Sequence, residues 1–212
     1  MSSQVVIPEA TRKRMLLLLD LLESYSKTET GGINENAKIT SAKISELTGW
    51  KDSLIRHDFW LLGYNKGISN GYQTVDLRKA INQALGLETE TKNCCIVGLG
   101  RLGAALLDEK LTEDTPFVIK AGFDSNVNRV EILRSNFPLY PAHDMNWVIK
   151  QEKISLAVLT VADKDAQVMA ERLIKAGILG IVNMTKVVLK VPTNIMVENL
   201  SIINALKLIT RE

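Results

Sequence analysis

The stretch Cys94-Cys95-Ile96-Val97-Gly98-Leu99-Gly100-Arg101-Leu102-Gly103-Ala104-Ala105-Leu106 decides the fold. Its first four residues form a short apolar run, the composition of a strand buried on both faces, and its last residues read as the opening of a helix. Between the two, glycines at 98, 100 and 103 have the spacing of a dinucleotide-binding turn. Gly98 allows the tight turn, Gly100 lets backbone approach a pyrophosphate, and Gly103 lets the helix pack closely on the strand. The helix start presents free amides and a positive dipole end to phosphate. The next apolar run, FVIKAGFD, ends in Asp124, 21 residues after Gly103. A carboxylate there accepts ribose hydroxyls and repels a 2′-phosphate, so NAD is expected over NADP. Two plainer readings stand beside this one: a structural turn that binds nothing, and Asp124 as the N-cap of the helix NVNRVEIL.

Working outward toward the C-terminus, ISLAVLTV, ILGIVN and NIMVENL read as further buried strands, while RLGAALLDEK, NVNRVEILRS, DMNWVIKQE and DKDAQVMAERLIKAG read as helices. Such alternation predicts an α/β fold with a Rossmann-type, doubly wound parallel sheet. The final stretch, LSIINALKLITRE, sets Ile202, Ile203, Leu206 and Ile209 on one face with no obvious place to pack within that sheet.

Toward the N-terminus the pattern is helical. Met15, Leu16, Leu18, Leu19 and Leu22 form an apolar stripe, followed by a polar loop, KTETGGINENAK. A second helix opens at Thr40 or Ser41, points Ile44 and Leu47 inward and stops at Gly49. A third, capped by Asp52 or Ser53, buries Ile55, Phe59 and Leu62 and turns Ser53, Arg56, His57 and Trp60 outward. Two short helices joined by a glycine-bearing turn, the second with a basic outer face, have the form of a helix-turn-helix. Lys51 and Lys66 lie nearby, and Arg12, Lys13 and Arg14 add positive charge on the first helix. The segment YNKGISNGYQT is expected to fold on itself as a hairpin wing, and VDLRKAINQALG to form a last helix before the linker ETETKN. A merely solvated charged face is the plain alternative.

Composition narrows the function. With 26 Lys+Arg against 24 Asp+Glu, the chain of 212 residues is nearly neutral, so DNA binding must come from a local basic face. The two cysteines are adjacent and share no metal-ligand spacing with the two histidines, which predicts a reducing interior, plain packing and no metal site. No apolar run approaches the roughly 18–20 residues of a membrane span, and MSSQVVIPEATRKRM lacks a signal-peptide core, so a cytoplasmic protein is expected. No catalytic residue is assigned: His57 lies on the basic helix, His143 lies in a loop beside a capping Asp144, and no extra substrate domain follows the sheet.

IPEAT with Arg14, ISELTGWKDSLIRHDF, Leu62-Gly63, Gly71-Tyr72, IVGLGRLGAAL, AGFDSN, AERLIKAGILGIVN and LKVPTNIMVENL, in unbroken order, resemble the Rex redox-sensing transcriptional repressors. The resemblance implies a homodimeric repressor, free of enzymatic turnover, that binds pseudo-palindromic operator DNA when NADH is low and releases it when NADH binds. It implies a winged-helix domain over residues 1–86, an NAD(H)-binding Rossmann domain over 87–198 and a domain-swapped helix over 199–212. Gly98, Gly100, Arg101, Leu102 and Gly103 then match the pyrophosphate loop, Asp124 the adenosine-ribose carboxylate, and Val161, Ala162 and Asn183 the nicotinamide side. Arg56 and His57 match the recognition-helix pair, with Arg14, Lys51, Ser53 and Lys66 as further DNA contacts. The chain departs from the family pattern at several places. Ala162 replaces a usual proline, and Met184-Thr185-Lys186 replaces an aromatic or aliphatic residue followed by Ala and Pro. The wing lacks the Phe-Gly-Lys-Arg-Gly order, and Asp20 and Ser201 replace an arginine and an aspartate. A redox-insensitive repressor and a small NAD-dependent oxidoreductase are the competing expectations.

Overall fold

Helix α1 (Glu9–Ser26) follows Pro8 and turns Thr11, Met15, Leu18, Leu22 and Ser26 inward at spacings of three and four. Leu16 lies one position off that stripe and is exposed, against the sequence expectation. The computed structural model describes residues 7–27, 32, 34–65, 71–87, 91–108, 112–113 and 115–210, which separate into two units, Met1–Thr89 and Glu90–Glu212.

In the first unit, β1 (Lys38–Ile39) leads into α2 (Ser41–Thr48), whose Thr40 side chain accepts the Lys43 N–H and whose Gly49 closes the helix with φ 72°. Ile44 is wholly buried, whereas Leu47 faces solvent. Helix α3 (Asp52–Leu61) buries Ile55, Asp58 and Phe59; Lys51 occupies its cap position, so neither Asp52 nor Ser53 caps it. Strand β2 (Tyr72–Gln73) pairs antiparallel with Lys38–Ile39, not with Tyr64–Asn65 across the expected hairpin. Its partner thus comes from the end of the segment that composition marked as loop; the wing tip, 66–70, lies outside the described residues. Helix α4 (Thr74–Leu85) completes the unit. The core joins α1, α3 and α4 through Met15, Leu18, Leu22, Ile55, Phe59 and Ile81, with Phe59 set edge-on to Tyr72 at 4.9 Å. Each such buried side chain stabilises the unit by about 1.5–3 kcal/mol before entropy is counted.

The second unit is built on a six-stranded parallel sheet: β3 (Lys92–Val97), β4 (Phe117–Asp124), β5 (Leu139–Pro141), β6 (Leu156–Leu159), β7 (Gly180–Asn183) and β8 (Met196–Asn199), in the order β5-β4-β3-β6-β7-β8. Strand β5 escaped the sequence reading because it is three residues long, sits at the edge and contains a proline. The connections are α5 (Arg101–Ala105), α6 (Val127–Ile132), α7 (Met145–Gln151) and α8 (Asp163–Ala176). Helix α5 is half the length expected from RLGAALLDEK. The chain leaves it at Leu106, and Leu107 packs with Ile96 and Leu99 in a small second cluster. The main core lies between the sheet and α7 and α8, around Val97, Phe123, Val148, Leu159, Ala170 and Leu173. From β3 the chain builds outward to β4 and β5, then returns to place β6 on the other side of β3. That switch opens a crevice at the carboxyl ends of β3 and β6, where Val97 and Leu159 lie in register. Helix α9 (Ile202–Ile209) ends the described chain and buries no residue.

Candidate functional site

A cavity of about 440 Å³ occupies this crevice, walled by the glycine turn, the end of β4 and the turn after β6. The glycines shape it through sterics. Gly98 has φ 95°, and a Cβ there would lie 2.7 Å from the Val161 nitrogen. A Cβ at Gly103 would collide with the Gly98 carbonyl oxygen and lie 2.7 Å from Thr160 Oγ1. Thr160 donates to that same carbonyl at 2.6 Å, locking the turn to β6. At Gly100, by contrast, a Cβ would meet no atom within 4 Å although the residue lines the cavity. The backbone is therefore bare where a ligand can approach it, which is what a pyrophosphate requires of the middle glycine.

Asp124 closes one end of the cavity. Its carboxylate is 4% exposed; Oδ2 accepts the Leu99 N–H at 2.7 Å and Oδ1 accepts the Asn126 N–H at 2.7 Å. The Arg129 Nη1 lies 3.3 Å from Oδ2. Asn126, whose side chain accepts the Asn128 N–H, is the residue that caps α6, so the cap reading of Asp124 gives way. Each carboxylate oxygen has two lone pairs, which leaves Asp124 acceptor capacity toward the cavity. Val161 and Ala162 line the opposite side of the cavity.

Other expected site residues fall elsewhere. Arg101 and Leu102 are exposed on α5 and are not part of the cavity wall. Asn183 is wholly buried. It donates to the Val187 carbonyl and the Asn199 side chain and accepts the Thr185 N–H and hydroxyl, so its whole capacity ties β7 to β8 and to the following turn. Its nicotinamide-side assignment is corrected to a structural one. The reading missed Ser125, Arg129, Thr160 and Asp165, all on the wall. The signal for Arg129 was a cation one helical turn beyond an acidic strand end.

The sequence matches the CoA binding domain family over residues 89–187. The redox-sensing transcriptional repressor Rex of Limosilactobacillus reuteri (strain DSM 20016) is 32% identical over 204 residues, 95% of this chain and 91% of that one. The chain belongs to the Rex family. Among solved structures, RSP, a Rex-family repressor, in complex with β-NADH superposes with a TM-score of 0.81 at 28% identity, covering 96% of this chain and 92% of RSP. RSP with β-NAD+ and operator DNA gives 0.84 at the same identity, covering 96% and 91%.

Helix α3 is the second helix of the expected helix-turn-helix. Lys51, Ser53, Arg56 and His57 are all exposed. Arg56 is ion-paired with Asp52 one turn back, and the His57 ring stacks on the exposed Trp60 indole with centroids 5.8 Å apart. Arg14 belongs to a different group. Its Nε and Nη2 reach the two oxygens of the wholly buried Asp58, each at 2.7 Å, and the Thr11 hydroxyl donates to the same carboxylate at 2.9 Å. The hydrogen bonds to Asp58 hold the guanidinium pKa above its ordinary value. Arg14 therefore joins α1 to α3, and its expected DNA contact is corrected to a core one. Lys66 lies outside the described residues. His143 is exposed, 3.6 Å from the Asp144 carboxylate, and Asp144 makes no side-chain cap on α7. Among the described residues no cluster of His, Cys, Asp and Glu could hold a metal, and no helix is long and apolar enough to cross a membrane.

Proposed function

We propose that this chain is a homodimeric, cytoplasmic transcriptional repressor without enzymatic turnover: it grips a pseudo-palindromic operator with α3 and releases it when NADH is bound. The observation that carries the reading is the union, in a chain matching Rex along 95% of its length, of a helix that exposes Arg56 and His57 beside Lys51 and a glycine turn bare at Gly100. The division of labour is residues 1–86 for DNA, 87–198 for the dinucleotide and 199–212 for exchange across the dimer. NADH supplies no reaction here; its redox state is the signal. Gly98, Gly100 and Gly103 would hold the pyrophosphate, Asp124 the adenosine ribose, and Val161 and Ala162 the nicotinamide side. The titratable residues on the wall are Asp124, Arg129 and Asp165, and the first is bound up with the loop amides, which supports binding over hydride chemistry. On α9, Ile202, Ile203, Leu206 and Ile209 are each more than half exposed, an apolar face that a second copy would cover.

Switching requires each ligand to prefer a different dimer arrangement, and linkage makes the effect mutual. A full switch needs about 5.5 kcal/mol of differential affinity. Operator binding by fluorescence anisotropy at fixed salt, with rising NADH and then NAD, tests this: release by NADH at concentrations where NAD does little is expected, and equal DNA affinity at saturating NADH would refute it. That second result would favour a redox-insensitive repressor, a reading with its own support. Asp20 is exposed on α1, and the Ser201 hydroxyl accepts the Asn204 N–H as the cap of α9, so neither position offers the arginine–aspartate pair of the family pattern. Substrate-dependent consumption of NADH would favour the oxidoreductase.

A further inference from the structure

The outer face of α3 is not wholly polar. Ile55, Asp58 and Phe59 turn inward, while Ser53, Arg56, His57 and Trp60 recur at spacings of three and four on the solvent side. Trp60 is 62% exposed, and among the described residues of α3 it is the only large apolar side chain left so open. Its indole is also held. The His57 ring, three residues back, stacks on it with centroids 5.8 Å apart and planes 20° from parallel. Side chains three apart on a helix are neighbours, and ring pairs at such a separation attract. Neither ring belongs to the core cluster around Phe59, so the stack serves a surface and not the interior of the unit. Lys51 and Arg56 are exposed beside it, which asks for a partner with negative charge around an apolar contact. The major groove of DNA is such a surface: phosphates rim it, and each A·T pair projects the thymine 5-methyl group into it. Ser53 and Trp60 stand about 10.5 Å apart along the axis at about 1.5 Å per residue, so the whole face fits a groove about 12 Å wide.

We propose that Trp60 is a specificity-determining residue for the operator: its indole lies against a thymine 5-methyl group in the major groove, and His57 is a positioning residue that holds the indole for this contact. The inference rests on the reading of α3 as the DNA-binding helix, and it moves His57 from a contact of its own to the support of its neighbour. Arg56 supplies charge or a polar base contact, and Trp60 supplies apolar discrimination, because the methyl group marks an A·T pair among the four possible pairs. An indole already stacked on imidazole has less rotamer freedom to lose when DNA arrives, so the stack adds to affinity without touching the nucleic acid.

The test measures anisotropy of the full chain on an operator duplex enriched from random-sequence DNA by the native protein, and on copies in which deoxyuridine replaces thymine one position at a time in both half-sites. Deoxyuridine removes the methyl group and keeps the base pairing. At the contacted position the native protein should lose about threefold to fourfold per half-site, and Trp60→Ala should lose nothing further there. On the unmodified operator Trp60→Ala should bind about tenfold more weakly with an unchanged salt slope, since an apolar contact releases no counterions, while Trp60→Phe should fall between the two. His57→Ala should weaken binding by about threefold, and His57→Phe, which keeps a ring and loses the imidazole nitrogens, should restore it. The exposed position lets each variant keep the native melting temperature, checked by calorimetry. Trp60→Ala with native operator affinity overturns the inference and gives the indole to another partner. A salt slope lowered by about one in Trp60→Ala, or equal deoxyuridine losses in native and Trp60→Ala proteins, overturns it as well, and His57→Phe as weak as His57→Ala overturns the role of His57. In each of these cases a loss of affinity in Arg56→Ala leaves α3 standing as the DNA-binding helix; failure of Arg56→Ala and Trp60→Ala alike to weaken binding removes both.

Discussion

Arg14 and Asp58 are joined by two hydrogen bonds of 2.7 Å, and the Asp58 carboxylate is wholly inaccessible to solvent. One residue of the basic run on α1 thus reaches inward to α3. The pair fixes the distance between α1 and α3, and so the presentation of Arg56 and His57. A buried carboxylate held by one cation is costly to strand: Arg14→Ala should destabilise by about 3–5 kcal/mol, whereas Arg14→Met with Asp58→Leu should recover most of it. Urea unfolding followed by circular dichroism measures both. An Arg14→Ala protein of native stability with a flatter salt dependence of operator binding would return Arg14 to the DNA contacts.

The glycine turn separates folding from ligand binding. At Gly98, φ 95° and a Cβ 2.7 Å from the Val161 nitrogen make alanine costly, by about 1–3 kcal/mol in strain alone. At Gly100 an added methyl meets nothing in the chain, so Gly100→Ala should melt within about 1 kcal/mol of native yet bind NADH at least about tenfold more weakly. Calorimetric melting beside NADH titration distinguishes the two variants.

On α3, Asp52 holds Arg56 and puts a negative charge on the face proposed to meet DNA. Removing Arg56 as alanine should cost about 1–3 kcal/mol if it reads a base, or lower the salt slope by about one if it meets phosphate. Asp52→Asn should act oppositely, releasing Arg56 and raising operator affinity. Anisotropy over a salt series tests the pair, and an Asp52→Asn protein that binds more weakly would show that the ion pair positions Arg56 for DNA.

Leu206 and Ile203 are 52% and 55% exposed on α9. Leu206→Asp places a charge in the face that a second copy would cover, and sedimentation at micromolar concentration should then show a shift from dimer toward monomer. An unchanged dimer would remove α9 from the interface.

Burial raises the Cys94 thiol to about 11 and pushes Cys95 up further, favouring the neutral form in the fold. Their contribution to stability is fully present below the ordinary thiol value of 9.0 and is lost as pH rises through about 11. The native chain should lose stability over that interval relative to Cys94→Ala/Cys95→Ala, and both thiols should resist a disulfide reagent at neutral pH until urea unfolds the chain.

What the sequence determined by itself is what periodicity and local chemistry carry. The alternation after Cys94 encodes a parallel sheet because strands buried on both faces must be apolar throughout. The spacing of Gly98, Gly100 and Gly103 encodes the turn because it rests on contacts within a few residues. The outer face of α3 follows from the 3.6-residue repeat. Tertiary structure alone decided the pairing of Tyr72–Gln73 with Lys38–Ile39, the inward turn of Arg14 to Asp58, the confinement of Asn183 to the β7–β8 seam and the approach of Arg129 to Asp124. In each case a polar group chose its partner by burial and by the angle at which two elements meet. A one-dimensional pattern shows that a residue has a charge or a donor; only the packed chain shows which charge lies within 3–4 Å of it.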